Sequence, residues 1–146
     1  MSYTKNAAQQ YKELNTQSAA AYADPHQLIT MLFEGAVERI AAAKGAMANK
    51  DIATKGSLIS KAILIVDALR AYLDMEKGGE IAVNLRNLYD YMERRLFEAN
   101  MENDEAMLDE VSGLIQTLKS GWVQIEPKNK DETAPLDASS GFSVQG

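Results

Sequence analysis

The feature that most constrains the fold is a stretch of about a hundred residues without proline, between Pro25 and Pro127. Proline breaks the interior of a helix, so this stretch can be helical throughout. Its apolar residues recur at intervals of three and four, which is the period of an amphipathic helix. The pattern is interrupted three times by short polar or glycine-containing segments, and we therefore predict four helices.

Capping residues predict where these helices begin and end. Asp24 before Pro25 is typical of a helix start, Asp51 can cap the second helix, and the Lys77-Gly78-Gly79 segment is expected to stop it. The predicted helices are Pro25–Ala48, Ile52–Glu76, Glu80–Ala99 and Asp104–Ile125. Because the connections are only a few residues long, we expect an all-α fold, an antiparallel up-down four-helix bundle.

The two ends of the chain differ in composition from this central part. Residues 1–23 are rich in small and amide side chains, and we expect them to pack on the bundle either as a short helix or as an extended segment. Residues 127–146 contain two prolines, two glycines and many small polar residues, which predicts a disordered tail. The bundle itself is assigned to residues 24–126.

Charge and composition exclude several classes of function. The net charge of −6 and the scattered basic residues argue against a nucleic-acid partner. No apolar run approaches the ~18 residues of a membrane span, so no membrane insertion is expected. The chain has no cysteine and its first residues lack the pattern of a secretory signal, which together fit a cytoplasmic protein.

The sequence contains no candidate catalytic residue. His26 is the one histidine of the sequence, which is too few for a di-iron or other histidine-based metal site in a helical bundle. A histidine phosphotransfer bundle would need an exposed imidazole partway along a helix, whereas His26 stands at a helix start. The helical serines have no histidine placed to act as a base. We predict that the protein is not an enzyme and uses no cofactor.

One feature exceeds what a simple amphipathic bundle needs. The four successive apolar residues Ile63–Val66 must spread around the second helix, which turns Leu64 away from the core. On a helical wheel Leu64 lies beside Ala68 and Ala71, and Phe97 on the third helix also falls off the core stripe. These four residues predict a shallow apolar groove for a helical partner. The alternative is that the second helix is central and packed on most sides.

Three segments, in the same order and spacing, resemble one known family. Asp24–Ala36 resembles the pattern Ser-Pro-His/Glu-x-Leu-Ile-x-Met-Leu-Tyr-Asp-Gly-Ala, Gly78–Asn100 resembles a second signature, and Leu108–Val111 with Trp122 is similar to a third. Together they resemble the FliS family of flagellin-specific export chaperones over roughly residues 3 to 125. The chain departs from the first pattern by conservative changes at its first, tenth and eleventh positions.

The resemblance implies a helical bundle that binds the C-terminal segment of newly made flagellin in the cytoplasm. The chaperone keeps this segment from polymerising and presents it to the flagellar type III export gate. By the same resemblance, Tyr11 and Leu14 are expected to cover the bundle and to contact the export gate. We place Leu64, Ala68, Ala71 and Phe97 near the client. An open groove can also be covered by a second copy, so both a monomer and a weak homodimer are compatible with the sequence.

The sequence is also compatible with two other functions. One is the histidine phosphotransfer bundle, with His26 as the phosphorylated residue. The other is a regulatory adaptor that uses the same groove to bind another flagellar protein.

Overall fold

The computed structural model describes residues 24–125 of the chain, and nearly all of them are helical. The helices are α1 (Pro25–Ala48), α2 (Ile52–Ala71), α3 (Gly79–Glu102) and α4 (Glu105–Val123). The predicted all-α four-helix bundle is confirmed. The proposed N-terminal segment, the tail, and the residues Tyr11 and Leu14 lie outside the described part of the chain.

The helices form a closed ring in which each packs against two neighbours. α1 packs against α2 and α4, and α3 also packs against α2 and α4. Long-range contacts show that the neighbours are antiparallel. His26 at the start of α1 bonds to Trp122 at the end of α4, and Lys55 near the start of α2 bonds to Asn100 near the end of α3.

Aspartates cap three of the four helices. The Asp24 carboxylate accepts a hydrogen bond of 2.8 Å from the Gln27 N–H, and Asp51 accepts one of 3.2 Å from the Thr54 N–H. Asp104 caps α4 in the same way. Each bond satisfies an N–H group that has no partner inside the helix, which explains why the predicted helix starts are accurate to a residue.

The predicted end of the second helix was wrong, because α2 ends at Ala71, not at Glu76. The cause is Asp74, whose carboxylate accepts hydrogen bonds from the N–H groups of Glu76 and Lys77 at 3.0 and 2.9 Å. A side chain that bonds the backbone N–H groups after it competes with continuation of the helix. Gly79, at a φ of +54°, then takes the left-handed conformation that glycine favours and opens α3.

The core runs through the whole bundle and draws on all four helices. Its largest fully buried apolar side chains are Leu32, Ile40, Ile59, Val66, Leu69, Met92, Leu96, Leu108, Val111 and Ile115. One segment of α2 is enclosed on all sides, since the five consecutive residues Ile65–Leu69 are all buried. Over this stretch the alternative interpretation, a central second helix packed on most sides, describes the molecule.

Candidate protein-binding groove

A groove of about 710 Å³ runs along the outer side of the α2–α3 contact. Its apolar surface comes from Phe97 and Met101 on α3 and from the half-buried Ile63 on α2. Phe97 is 58% exposed and Met101 66% exposed, although both are large apolar side chains. Because Phe97 and Met101 are four residues apart on a helix, they stand on the same face and form one continuous surface.

Charged residues surround this apolar surface. The remaining lining residues are Asp90, Glu93, Arg94, Glu98 and Glu102, all on α3. Four carboxylates thus face one guanidinium. The groove therefore has an apolar floor and a rim that is mainly acidic.

One end of the groove adjoins a cluster of four charged side chains. The guanidinium of Arg70 donates hydrogen bonds to Asp67, its neighbour on α2, and to Asp90 and Glu93 on α3. Asp67 is 1% exposed, and its Oδ2 atom has no hydrogen-bond partner within the described residues. Three carboxylates therefore share a single cation, and of these Asp67 is enclosed, Glu93 is largely buried and Asp90 is partly exposed.

This crowding changes the protonation of Glu93. Burial raises the pKa of the Glu93 carboxyl to about 7; the Arg70 cation opposes this shift, and the nearby Asp67 and Asp90 add to it. Glu93 is therefore only partly ionised near neutral pH. The negative charge of the groove at this end depends on pH in the physiological range.

The other end of the groove is held by a buried lysine. Lys55 on α2 donates a hydrogen bond of 2.8 Å from its ammonium group to the main-chain oxygen of Asn100, and a second to the side-chain oxygen of Asn103. Asn103 has a φ of +53° and closes α3 in the left-handed conformation. The cation meets the negative end of the α3 dipole and fixes the last turn of α3, which carries Met101.

His26 has a structural environment that does not suit phosphotransfer. Its ring stacks on Trp122 with centroids 4.8 Å apart, and its Nε2 atom lies 2.9 Å from the Trp122 carbonyl oxygen. The indole N–H of Trp122 donates a 3.0 Å hydrogen bond back to the His26 carbonyl. The imidazole is thus engaged in joining α1 to α4 and is not presented to a kinase.

The structure separates the residues that the sequence had grouped together. Phe97 lies in the groove, while Leu64 and Ala71 are half-buried. Ala68 is 0% exposed and belongs to the core, so its expected place on an open surface was wrong. A wheel drawn for α2 alone cannot show which of its faces a neighbouring helix covers. Contact of any of these residues with a client remains a prediction.

Several groove residues escaped the sequence interpretation. Ile63 belongs to the same apolar run as Leu64, but the groove is lined by Ile63. Met101 was not among the residues that the sequence assigned to the groove. The spacing of Asp90, Arg94, Phe97 and Met101 by three or four residues places them on one outward face of α3, and that pattern could have revealed the groove.

Comparison with known proteins identifies the family. The family described as "Flagellar protein FliS" matches residues 7–129. A Pseudomonas aeruginosa protein named flagellar secretion chaperone FliSB is 49% identical over 120 residues, covering 82% of this chain and 95% of the relative. The chain belongs to the FliS family. Salmonella typhimurium FliS is 47% identical over 86% of this chain and 94% of its own length. Bacillus subtilis FliS is 34% identical over 79% and 86%.

Membership of the FliS family confirms the resemblance seen in the three sequence signatures. FliS proteins are flagellar chaperones and not enzymes, so the prediction of a non-catalytic protein is confirmed as well. Within residues 24–125, no helix has the length and apolar character needed to cross a membrane.

Proposed function

We propose that this protein binds the C-terminal amphipathic segment of flagellin in the cytoplasm, prevents its premature polymerisation and delivers it to the flagellar type III export apparatus. The observation that carries the proposal is the open apolar groove formed by Ile63, Phe97 and Met101. Exposed apolar surface of this kind, bordered by charged residues, is typical of a protein interaction site.

The groove suits an amphipathic helix as its occupant. It runs along two antiparallel helices, so a helical segment can lie in it with its apolar face toward Phe97 and Met101. A segment held in this way has buried the surface that would otherwise pair with other subunits. The flexible methionine side chain adapts to different partner shapes, which suits a client that must later be released.

The related proteins support the chaperone part of this proposal. The relatives from Pseudomonas aeruginosa, Salmonella typhimurium and Bacillus subtilis are all named flagellar secretion chaperones. The match extends over most of each relative, so the groove-forming helices lie within the shared region.

A titration of the purified protein with flagellin tests client binding. We expect saturable one-to-one binding of full-length flagellin by isothermal titration calorimetry, and little binding of flagellin that lacks its C-terminal helix. Equal affinity for the two forms would contradict the proposal.

A pair of double variants tests the groove itself. F97A/M101A removes the exposed apolar side chains of the groove and should weaken flagellin binding at least tenfold. M75A/V83A is the control, because Met75 and Val83 are also exposed and apolar but lie outside the groove. An equal loss in both double variants, or in neither, would argue against the groove as the client site.

Delivery to the export apparatus is tested separately from client binding. We expect Tyr11→Ala and Leu14→Ala to reduce flagellin export from cells while the purified variants still bind flagellin. Unchanged export would remove these two residues from the proposal and leave client binding intact.

A further inference from the structure

The acidic rim of the groove is unfavourable for the stability of the isolated bundle. Glu98 and Glu102 are four residues apart on α3, so two like charges face each other on one side of the helix. Both also lie in the last turns of α3, where the helix dipole disfavours negative charge. Glu98 has an i,i+3 ion pair with Arg95 on the same helix, whereas no ion pair among the described residues favours Glu102.

The rim has more carboxylates than cations. Among the described residues, Glu102 forms no ion pair, and Glu98 reaches only Arg95 at 3.4 Å. Arg94, the one basic residue of the lining, lies over the ring of Tyr91 at 6.0 Å from its centroid. The Glu102 carboxylate is therefore available to a partner, and Glu98, held only by the 3.4 Å pair with Arg95, can be shared with one.

The opposite end of the groove shows the same shortage of positive charge. Arg70 is shared by Asp67, Asp90 and Glu93, although one oxygen of the buried Asp67 carboxylate and the Nε–H group of Arg70 itself have no hydrogen-bond partner within the described residues. Asp90 and Glu93 also line the groove. Acidic residues of α3 thus occur along the length of the groove, and the charge at the Glu93 end depends on pH.

We infer that the occupant of the groove is an amphipathic helix with lysine or arginine residues beside its apolar face, and that Glu98 and Glu102 select it. This inference rests on the proposed function, since it describes the chemistry of the client segment. The apolar face of the client covers Phe97 and Met101, while its basic side chains pair with the rim. Charge complementarity of this kind accelerates association and excludes acidic or neutral helices.

A charge-neutralised variant of the full chain tests the inference against flagellin. E98Q/E102Q removes two negative charges and keeps the size and polarity of both side chains. The matched control is E38Q/E76Q, which removes the same charge from two exposed positions outside the groove. Association and dissociation rates with full-length flagellin are measured by biolayer interferometry at several sodium chloride concentrations, after circular dichroism has shown that both variants are folded.

We expect E98Q/E102Q to weaken binding about three- to tenfold at low salt, mainly through a slower association, and to reduce the salt dependence of the affinity. The control should stay within about twofold of the wild type. Replacing the lysine and arginine residues of the flagellin C-terminal segment with glutamine should give the same loss. When this neutralised flagellin is tested against E98Q/E102Q, binding should be no weaker than with either change alone.

Three results would overturn the inference. The first is that E98Q/E102Q keeps the wild-type affinity and salt dependence. The second is that the control E38Q/E76Q weakens binding as much as E98Q/E102Q does. The third is that the wild-type protein binds the neutralised flagellin segment with full affinity. If F97A/M101A still abolishes binding in those cases, the proposed function stands and only the charge selection fails. If the wild-type protein does not bind flagellin at all, both fail together.

Discussion

The two opposite seams of the bundle use charged side chains in different ways. In the α1–α4 seam, Lys44 lies 2.5 Å from Asp109, and Lys119 lies 3.2 Å from Glu34, all on the surface. In the α2–α3 seam, Arg70 is shared by several carboxylates, and one of them, Asp67, is fully enclosed. The first seam has ion pairs between exposed side chains, whereas in the second seam three carboxylates share one cation.

The two seams also differ in how their large apolar side chains are placed: buried in the first seam and exposed beside the second. Trp122 in the α1–α4 seam is buried and stacked on His26, so a large apolar side chain closes the bundle there. Phe97 and Met101 beside the α2–α3 seam are also large apolar side chains but remain exposed. Large apolar side chains are thus packed in one seam and exposed beside the other, and each of the following predictions tests that division.

The largest effect is expected from Trp122→Ala. The change removes a buried ring, its stack on His26 and a hydrogen bond to the His26 carbonyl. It should lower the free energy of unfolding by about 4 kcal/mol, as measured by urea denaturation followed by circular dichroism. Val123→Ala, at the exposed neighbouring position, is the control and should have little effect. A loss below about 1 kcal/mol for Trp122→Ala would show that the α1–α4 seam is not the closure of the bundle.

The second effect concerns Arg70→Ala. Removing the shared cation leaves the carboxylates of Asp67, Asp90 and Glu93 together without a counter-charge. We expect a loss of about 3 kcal/mol in the free energy of unfolding at pH 8. The loss should be smaller at pH 5, because the Glu93 carboxyl, with its pKa raised to about 7, is then protonated and no longer repels the other two carboxylates.

Lys44→Ala removes a cation with two acidic neighbours from the α1–α4 seam and serves as the comparison for Arg70→Ala. Its carboxylate partners remain hydrated, so its effect on unfolding should be much smaller. Equal losses in the two variants would mean that the α2–α3 cluster is no more dependent on its cation than an exposed pair is.

The third effect is a gain in stability from Glu93→Gln. The pKa of Glu93 is about 7 in the folded protein, above its ordinary value of 4.5. Ionised Glu93 therefore destabilises the fold, by an amount that grows between pH 4.5 and 7 and is fully present above pH 7. The variant should be more stable than the wild type by on the order of 1 kcal/mol at pH 8 and equally stable below pH 4.5.

Glu110→Gln is the control for this pH dependence. A hydrogen bond from Tyr91 is the main cause that lowers the pKa of Glu110, so its ionised form is favoured in the folded protein. Neutralising Glu110 should therefore not stabilise the protein at pH 8. A similar gain in both variants would point to a general effect of net charge and not to the cluster around Arg70.

Local features of the sequence predicted the fold better than the groove. The caps at Asp24 and Asp51 act on backbone groups three residues away, so they can be recognised without knowing what packs nearby. The burial of Ala68 and the pairing of Arg70 with Asp90 depend on which helices meet. A helical wheel holds no information about that contact, and an error of one position moves a side chain by about 100°.

The smallest effect on stability, with the largest effect on binding, is expected from Phe97→Ser. Because Phe97 is already mostly in water, the change should alter the free energy of unfolding by no more than about 0.5 kcal/mol. The same substitution at Phe33, which is buried in the core, should cost several times more. Calorimetry with flagellin should then show weaker binding for Phe97→Ser despite its unchanged stability. If Phe97→Ser destabilises the fold as much as Phe33→Ser does, Phe97 is part of the packed structure and the division between a closing seam and a binding seam is wrong.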